Sequence, residues 1–284
     1  MFVADQGTTS LPDGSLTLRV LFTALAIFIA ACFVAAVYSS AIRAGLSRAV
    51  ARRQASIAAI ASTAWLAITA ALASRGALHF SAPPTMMPLF PIIILSAIGV
   101  AFSPLGRRVA VSLPLAALVG FQSFRIVVEL LMHRAYVEGL MPVQMSYSGR
   151  NFDIVTGVTA AIVALWLARG GRSIRLVAAW NTLGLALLAN ILVVALLSAP
   201  TPFRHFLNEP ANVWITRAPW IWLPAVFVWA AIAGQAIVYR RLWIESRRHR
   251  SIRMTDEAER HRPETTAAPT RTLQALLRAA NDPR

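Results

Sequence analysis

The sequence predicts an all-α polytopic membrane protein: a transmembrane bundle of seven helices, N-terminus outside and C-terminus in the cytoplasm. Three observations carry that expectation. Long uncharged runs alternate with short arginine clusters between Arg19 and Arg241, and several runs reach the roughly twenty residues that cross a 30 Å hydrocarbon core. Apolar residues make up 57% of the chain, charged residues only 14%, and the mean hydropathy is +0.61. Soluble domains carry about 25% charge. The arginines also divide unevenly between the two sides that seven crossings would define.

Residues 1–18 are polar and irregular, with Asp5 and Asp13, and read as an extracytoplasmic segment. The first span, Val20 to Ile42, is followed rather than preceded by its strongest charge, at Arg43, Arg48, Arg52 and Arg53. A cleaved secretory signal has the opposite order. The second span is Gln54 to Ser74 and the third about Pro88 to Ser103, its prolines near the ends where they disturb a helix least. A fourth runs from Val109 to about Arg134, a fifth from Asn151 to Ala168 and a sixth from Leu176 to Ala199. The seventh, Pro219 to Tyr239, opens with Trp220 and Trp222, aromatics suited to a lipid–water boundary. With the N-terminus outside, and counting from Arg19 through Arg253, 15 arginines fall inside and 6 outside. The resulting domains are 1–18, the helical bundle 19–243 and a basic cytoplasmic tail 244–284. The tail reads as disordered to about Pro269, with a short amphipathic repeat at Leu273, Leu276, Leu277 and Ala280. Small residues spaced by four, Gly157 with Ala161 and Ala160 with Ala164 and Ala168, predict close helix contacts.

Composition also excludes chemistry. The net charge of +15 flanks apolar runs instead of forming a nucleic-acid surface, so no nucleic-acid partner is expected. All 27 basic residues are arginine. Without lysine there is no Schiff base of the retinal type and no P-loop. The single cysteine, Cys32, rules out an intrachain disulfide and any cysteine-based cluster. No Gly-x-Ser-x-Gly or His-Glu-x-x-His motif is present. His79, His133 and His205 all map near the outer side, but they lack metal-ligand spacing, so neither metal nor cofactor is expected.

Four carboxylates lie between Arg19 and Tyr239: Glu129, Glu138, Asp153 and Glu209, all on or near the predicted outer side. In the fourth span Gln122, Arg125, Glu129, His133 and Tyr136 recur at intervals of three and four and share one helical face. Such a stripe belongs against the bundle interior or a wet vestibule, here one opening outward. Across the loop, Ser148 or Asn151 can cap the fifth helix and Asp153 suits its positive end. Pairing of Arg125 with Asp153 or Glu129, and of Arg150 with Glu129, would gather Gln122, Arg125, Glu129, His133, Arg150, Asn151 and Asp153 into one pocket. The same residues also work as a purely structural lock. Asn181 and Asn190, nine apart, read as separate interhelical hydrogen bonds, and so does Gln235. Arg240 to Arg253 forms a basic segment suited to anionic lipid, or simply to stopping transfer.

Phe124-Arg125, Glu129-Leu130, Glu138-Gly139-Leu140, Pro142 to Met145 and Gly149 to Ile154 together resemble segments of an uncharacterised group of bacterial multi-pass membrane proteins. The resemblance covers about a tenth of the chain. It implies an inner-membrane protein and names no reaction. Members often carry proline soon after the arginine, where this chain has Ile126 and Val127. Three functions follow in order: a protein that binds or transports a small or lipid ligand; a non-catalytic scaffold, assembly factor or sensor; and a membrane enzyme using Glu129 or Asp153 with His133.

Overall fold

The computed structural model describes residues 12–260, which form helices and connecting loops with no strand among them. Ser15 starts α1 (Leu16–Arg43) by accepting from the Leu18 amide at 3.3 Å, and Gly45, at φ 81°, turns the chain at its end. Ser47 caps α2 (Arg48–Ser74) in the same way. That cap explains why α2 begins six residues before the expected Gln54. Ser103 ends α3 (Leu89–Phe102) and its hydroxyl caps α4 (Pro104–Ser112), with Pro104 at the first helical position. The two helices bend by 61°. A side chain at Gly106 would run into the Ala101 and Val100 carbonyls, so the bend requires glycine there.

The expected fourth span is not one helix. It breaks at Leu113–Pro114, where proline cannot continue α4, and again at Gln122–Ser123, between α5 (Leu115–Phe121) and α6 (Phe124–Val137). After a folded loop come α7 (Ile154–Ala168) and α8 (Ile174–Leu197). A wide π-helical turn at Leu223–Val228 then leads into α9 (Trp229–Arg260). α9 continues past Met254, where the sequence suggested disorder. The amphipathic repeat at 273–280 and residues 1–11 lie outside the described residues.

Five helical stretches are long and apolar enough to cross a membrane, or six if bent α3–α4 counts as one. α7, with 15 residues, covers about 22 Å and falls short. Large apolar side chains point outward along the bundle: Ile60 is 70% exposed, Leu95 67% and Ile162 61%. Water does not tolerate so much contiguous apolar surface, whereas lipid does.

The chain divides into compact units at 1–242 and 243–284. Within the second, the Arg247 guanidinium lies 4.0 Å from the centre of the Trp243 ring. The first holds two apolar cores. One gathers Phe22, Trp214, Trp220 and Phe227 around edge-on ring contacts at the end that carries the carboxylates. The other gathers Leu118, Val119, Val163, Val177, Val238 and Leu242 toward the arginine-rich end. Between them along α5–α6, α8 and α9 lie Gln122, Arg125, Asn181 and Gln235, all buried. A polar layer is thus sealed between two apolar ones.

Candidate functional site

The break at Gln122–Ser123 sets Arg125 in the first turn of α6, facing the start of α7. There Gly157 lets the helices touch: a Cβ on it would stand 2.7 Å from the Ile126 nitrogen. Likewise a Cβ on Gly120 would stand 3.2 Å from Cβ of Ala164, so the small-residue face of α7 makes the close contacts expected of it. Arg125 is 2% exposed and its guanidinium forks onto the Asp153 carboxylate. Nε donates to Oδ2 at 2.6 Å and Nη2 to Oδ1, while Nη1 and Nη2 each reach the Gly184 carbonyl at 3.5 Å. Thr156 adds a hydroxyl bond to Asp153 at 3.4 Å.

Asn151 organises the entry to α7. Its Oδ1 accepts from the Asp153 amide at 3.1 Å, and its Nδ2 donates to the Met145 carbonyl at 3.0 Å and to Glu129 Oε2 at 2.6 Å. One amide therefore fixes the loop, the helix start and a carboxylate. This leaves the Asp153 side chain free of capping duty and available to Arg125. Glu129 lies one helical turn beyond Arg125, also 2% exposed. Among the described residues it has no ion-pair partner within 4 Å. With Arg125 paired to Asp153, Glu129 is the buried ionisable side chain left without an ion-pair partner among the described residues.

Arg125, Glu129 and Asp153 line one cavity of about 60 Å³, room for a few ordered waters. Apart from these three and Asn212 its wall is apolar, including Phe90, Met132, Ile191 and Phe227. The expected outward opening is covered: the loop after α6 folds inward and buries Leu140, Met141, Gln144, Met145 and Ser146. Gly149 makes the fold possible, because a side chain there would strike the Val143 carbonyl.

Three predicted residues stand apart. Arg150 is exposed, its guanidinium 5.3 Å from the centre of the Phe206 ring and its carbonyl accepting from Asn190 at 2.8 Å. It pairs with no carboxylate of the cluster. His133 stacks on Tyr147 at 4.2 Å, with Nδ1 3.3 Å from the Ser148 hydroxyl, and does not line the cavity. Gln122 is buried but turned to α9, donating to the Ala231 carbonyl at 3.3 Å. The break ahead of α6 takes it off the stripe. Ser148 caps nothing on α7; its hydroxyl meets His133.

Thr156, Gly184 and Asn212 belong to the site and carried no sequence signal of their own. Asn181 bonds the Gln235 carbonyl at 3.1 Å, an interhelical link as expected. Both amide atoms of Gln235 and the side-chain oxygens of Gln122 and Asn181 are buried without a protein partner, so the polar layer has places for internal water. No three of His, Cys, Asp and Glu come together as a metal site among the described residues.

In the basic segment, Arg240 Nη1 donates to the Ala101 and Ser103 carbonyls at 2.7 and 2.6 Å. Arg241 Nη1 donates to those of Ala110 and Val111 at 2.9 and 2.8 Å. Both cap the negative ends of α3 and α4.

A family model described as a domain of unknown function, DUF8737, matches residues 82–243, a stretch that begins ahead of α3 and ends in α9. No curated protein and no solved structure matches the chain.

Proposed function

The chain belongs to the DUF8737 family, and on that premise we propose that it is a seven-crossing protein of a bacterial inner membrane that binds a small amphiphilic ligand at Glu129. The N-terminus lies outside in this reading, as the arginine asymmetry favours. α3 and α7 make short crossings, and the basic segment Arg240 to Arg253 meets anionic lipid.

One observation carries the ligand: a buried carboxylate without a cationic partner on the wall of an otherwise apolar cavity. An isolated buried charge is costly, so Glu129 is satisfied by a proton or by a cation that enters with a ligand. Arg125 is saturated by Asp153 and Gly184, and Arg150 points elsewhere. An anionic ligand therefore has no free guanidinium to meet, and the best fit is an ammonium head with an apolar body. Binding comes first and transport is its extension.

The test uses protein in nanodiscs and ethylammonium, which is small enough for the cavity, with ethyl phosphate as the opposite-charge control. Ethylammonium raises the unfolding temperature of the wild type, and Glu129→Gln removes that shift while keeping the ligand-free stability. A shift unchanged in Glu129→Gln, or one given equally by ethyl phosphate, overturns the proposal.

A scaffold is the second reading, favoured by the closed Arg125–Asp153 fork. Under it, neither compound shifts the protein, and replacing both partners by apolar residues costs little. The enzymatic reading loses its acid–base partner, since His133 stands outside the cavity.

A further inference from the structure

The opposite face of α9 borders a different kind of space. One cavity of about 300 Å³ lies among α1, α2, α3 and the start of α9, and another of about 200 Å³ among α1, α3, α4, α5 and α9. Ile29, Phe33, Val100 and Trp229 line both. The two are one crevice, pinched where Phe33 and Trp229 meet edge-on at 5.7 Å. Along the π-helical turn and the start of α9 it runs from Ala225 to Ile237, about 18 Å, close to the depth of one leaflet.

Its wall is mostly hydrocarbon, with Ser62 and Cys32 among the lining residues. Trp65 donates to the Ala225 carbonyl at 2.8 Å and Trp229 to the Ser96 hydroxyl at 3.1 Å. Whatever fills the slot is an apolar chain. At the arginine-rich end, Leu105, Gly106 and Val109 of α4 line the crevice. On that same short helix stand Arg107, exposed, and Arg108, half-buried with Nε 3.4 Å from the Ser40 hydroxyl of α1.

Among the described residues, neither arginine forms an ion pair. From Gly14 to Val128 the sequence contains no carboxylate. Arg240 and Arg241 donate to carbonyls at the ends of α3 and α4, while Arg107 and Arg108 pair with no carboxylate among the described residues.

We propose that this crevice is a site for one anionic phospholipid, with an acyl chain along α9 and its phosphate on Arg107 and Arg108. The bidentate guanidinium fork suits a phosphate, and the chain supplies the apolar contacts that the gap between α1 and α9 lacks. The site rests on the membrane setting proposed above and is independent of the Glu129 cavity.

Native mass spectrometry of the detergent-purified protein, titrated with phosphatidylglycerol or phosphatidylcholine, tests it. The wild type retains one phosphatidylglycerol with about thirtyfold preference, the factor two arginines supply at a charged surface. Arg107→Gln/Arg108→Gln brings retention down to the phosphatidylcholine level, and Ala36→Leu, which fills the slot, lowers retention of both lipids. Equal retention of the two lipids by the wild type, or an unchanged preference in the Gln variant, overturns the site. Displacement of the lipid by inorganic phosphate alone also overturns it, since the chain would then contribute nothing. If the Gln variant does not fold, the wild type decides: its preference must collapse as ionic strength rises, and a salt-independent preference overturns the proposal. Glu129→Gln leaves lipid retention intact, so failure of one site is distinguishable from failure of the other.

Discussion

Compare α2 with α6. α2 buries only Ala51, Ala58, Thr69 and Ala73, and turns Ile57, Ile60 and Ile68 outward. α6 buries Arg125 and Glu129 along with Phe124, Val128, Leu131 and Met132. One helix buries small side chains and turns isoleucines outward; the other buries an arginine and a glutamate. In water both choices would be errors. In lipid, large apolar groups belong outside, small ones let helices approach, and charges are placed where protein can satisfy them. The contrast also falls along the family boundary, because the matched stretch includes α6 and leaves out α2.

The strongest way to break the contrast is to unpair the core. Asp153→Ala strands Arg125 in the interior and costs about 3–5 kcal/mol, read as a large drop in unfolding temperature and folded yield in detergent. The paired replacement Arg125→Met/Asp153→Leu recovers most of that loss. A single variant as stable as wild type would mean that water reaches the pair.

On the other helix, Ile60→Asp costs about 2.5–3.5 kcal/mol of insertion if α2 faces lipid at mid-span, whereas Ile60→Ala is nearly neutral. Carbonate-resistant membrane fractions measure both. An Asp variant that inserts normally removes α2 from the lipid boundary.

The smallest effect sharpens the edge of the bundle. Glu138 accepts from the Ser15 amide at 2.6 Å and hydroxyl at 2.7 Å, and from Arg134 at 2.6 Å, tying the start of α1 to the end of α6. Slight burial pushes its carboxyl up, but these bonds outweigh that and hold it below the ordinary carboxylate range. A carboxyl so lowered stabilises the fold fully above the ordinary range, and its contribution fades as pH falls through the lowered value. Amide exchange in the first turn of α1 should therefore accelerate in acid. Ser15→Ala should give the same change at neutral pH, at a cost of about 1 kcal/mol.

Much of this was legible because lipid imposes a simple alphabet. Arginine clusters marked helix ends to within a few residues: α3 and α8 lie close to the expected spans. Pro114 announced a break that the run of apolar residues around it concealed. The break at Gln122–Ser123 has no local signal, since tertiary packing and not a helix-breaking residue turns Gln122 toward α9. Arg125 with Asp153 was readable as one of two pairings, because a buried cation needs a carboxylate and few were available. Arg150 was misread for an instructive reason. It is next to Asn151 in the chain, but loop geometry sends neighbours in opposite directions, and periodicity says nothing about loops. The triple role of Asn151 depends on that same loop geometry, so it too required coordinates.

The arginine pair at the end of α3 and α4 has a mechanical consequence. Sliding α9 along its own axis by one turn, about 5.4 Å, would tear Arg240 and Arg241 from four peptide oxygens at once. α9 is therefore barred from working as a piston. A rearrangement of the bundle that keeps these four bonds leaves this rod at fixed height.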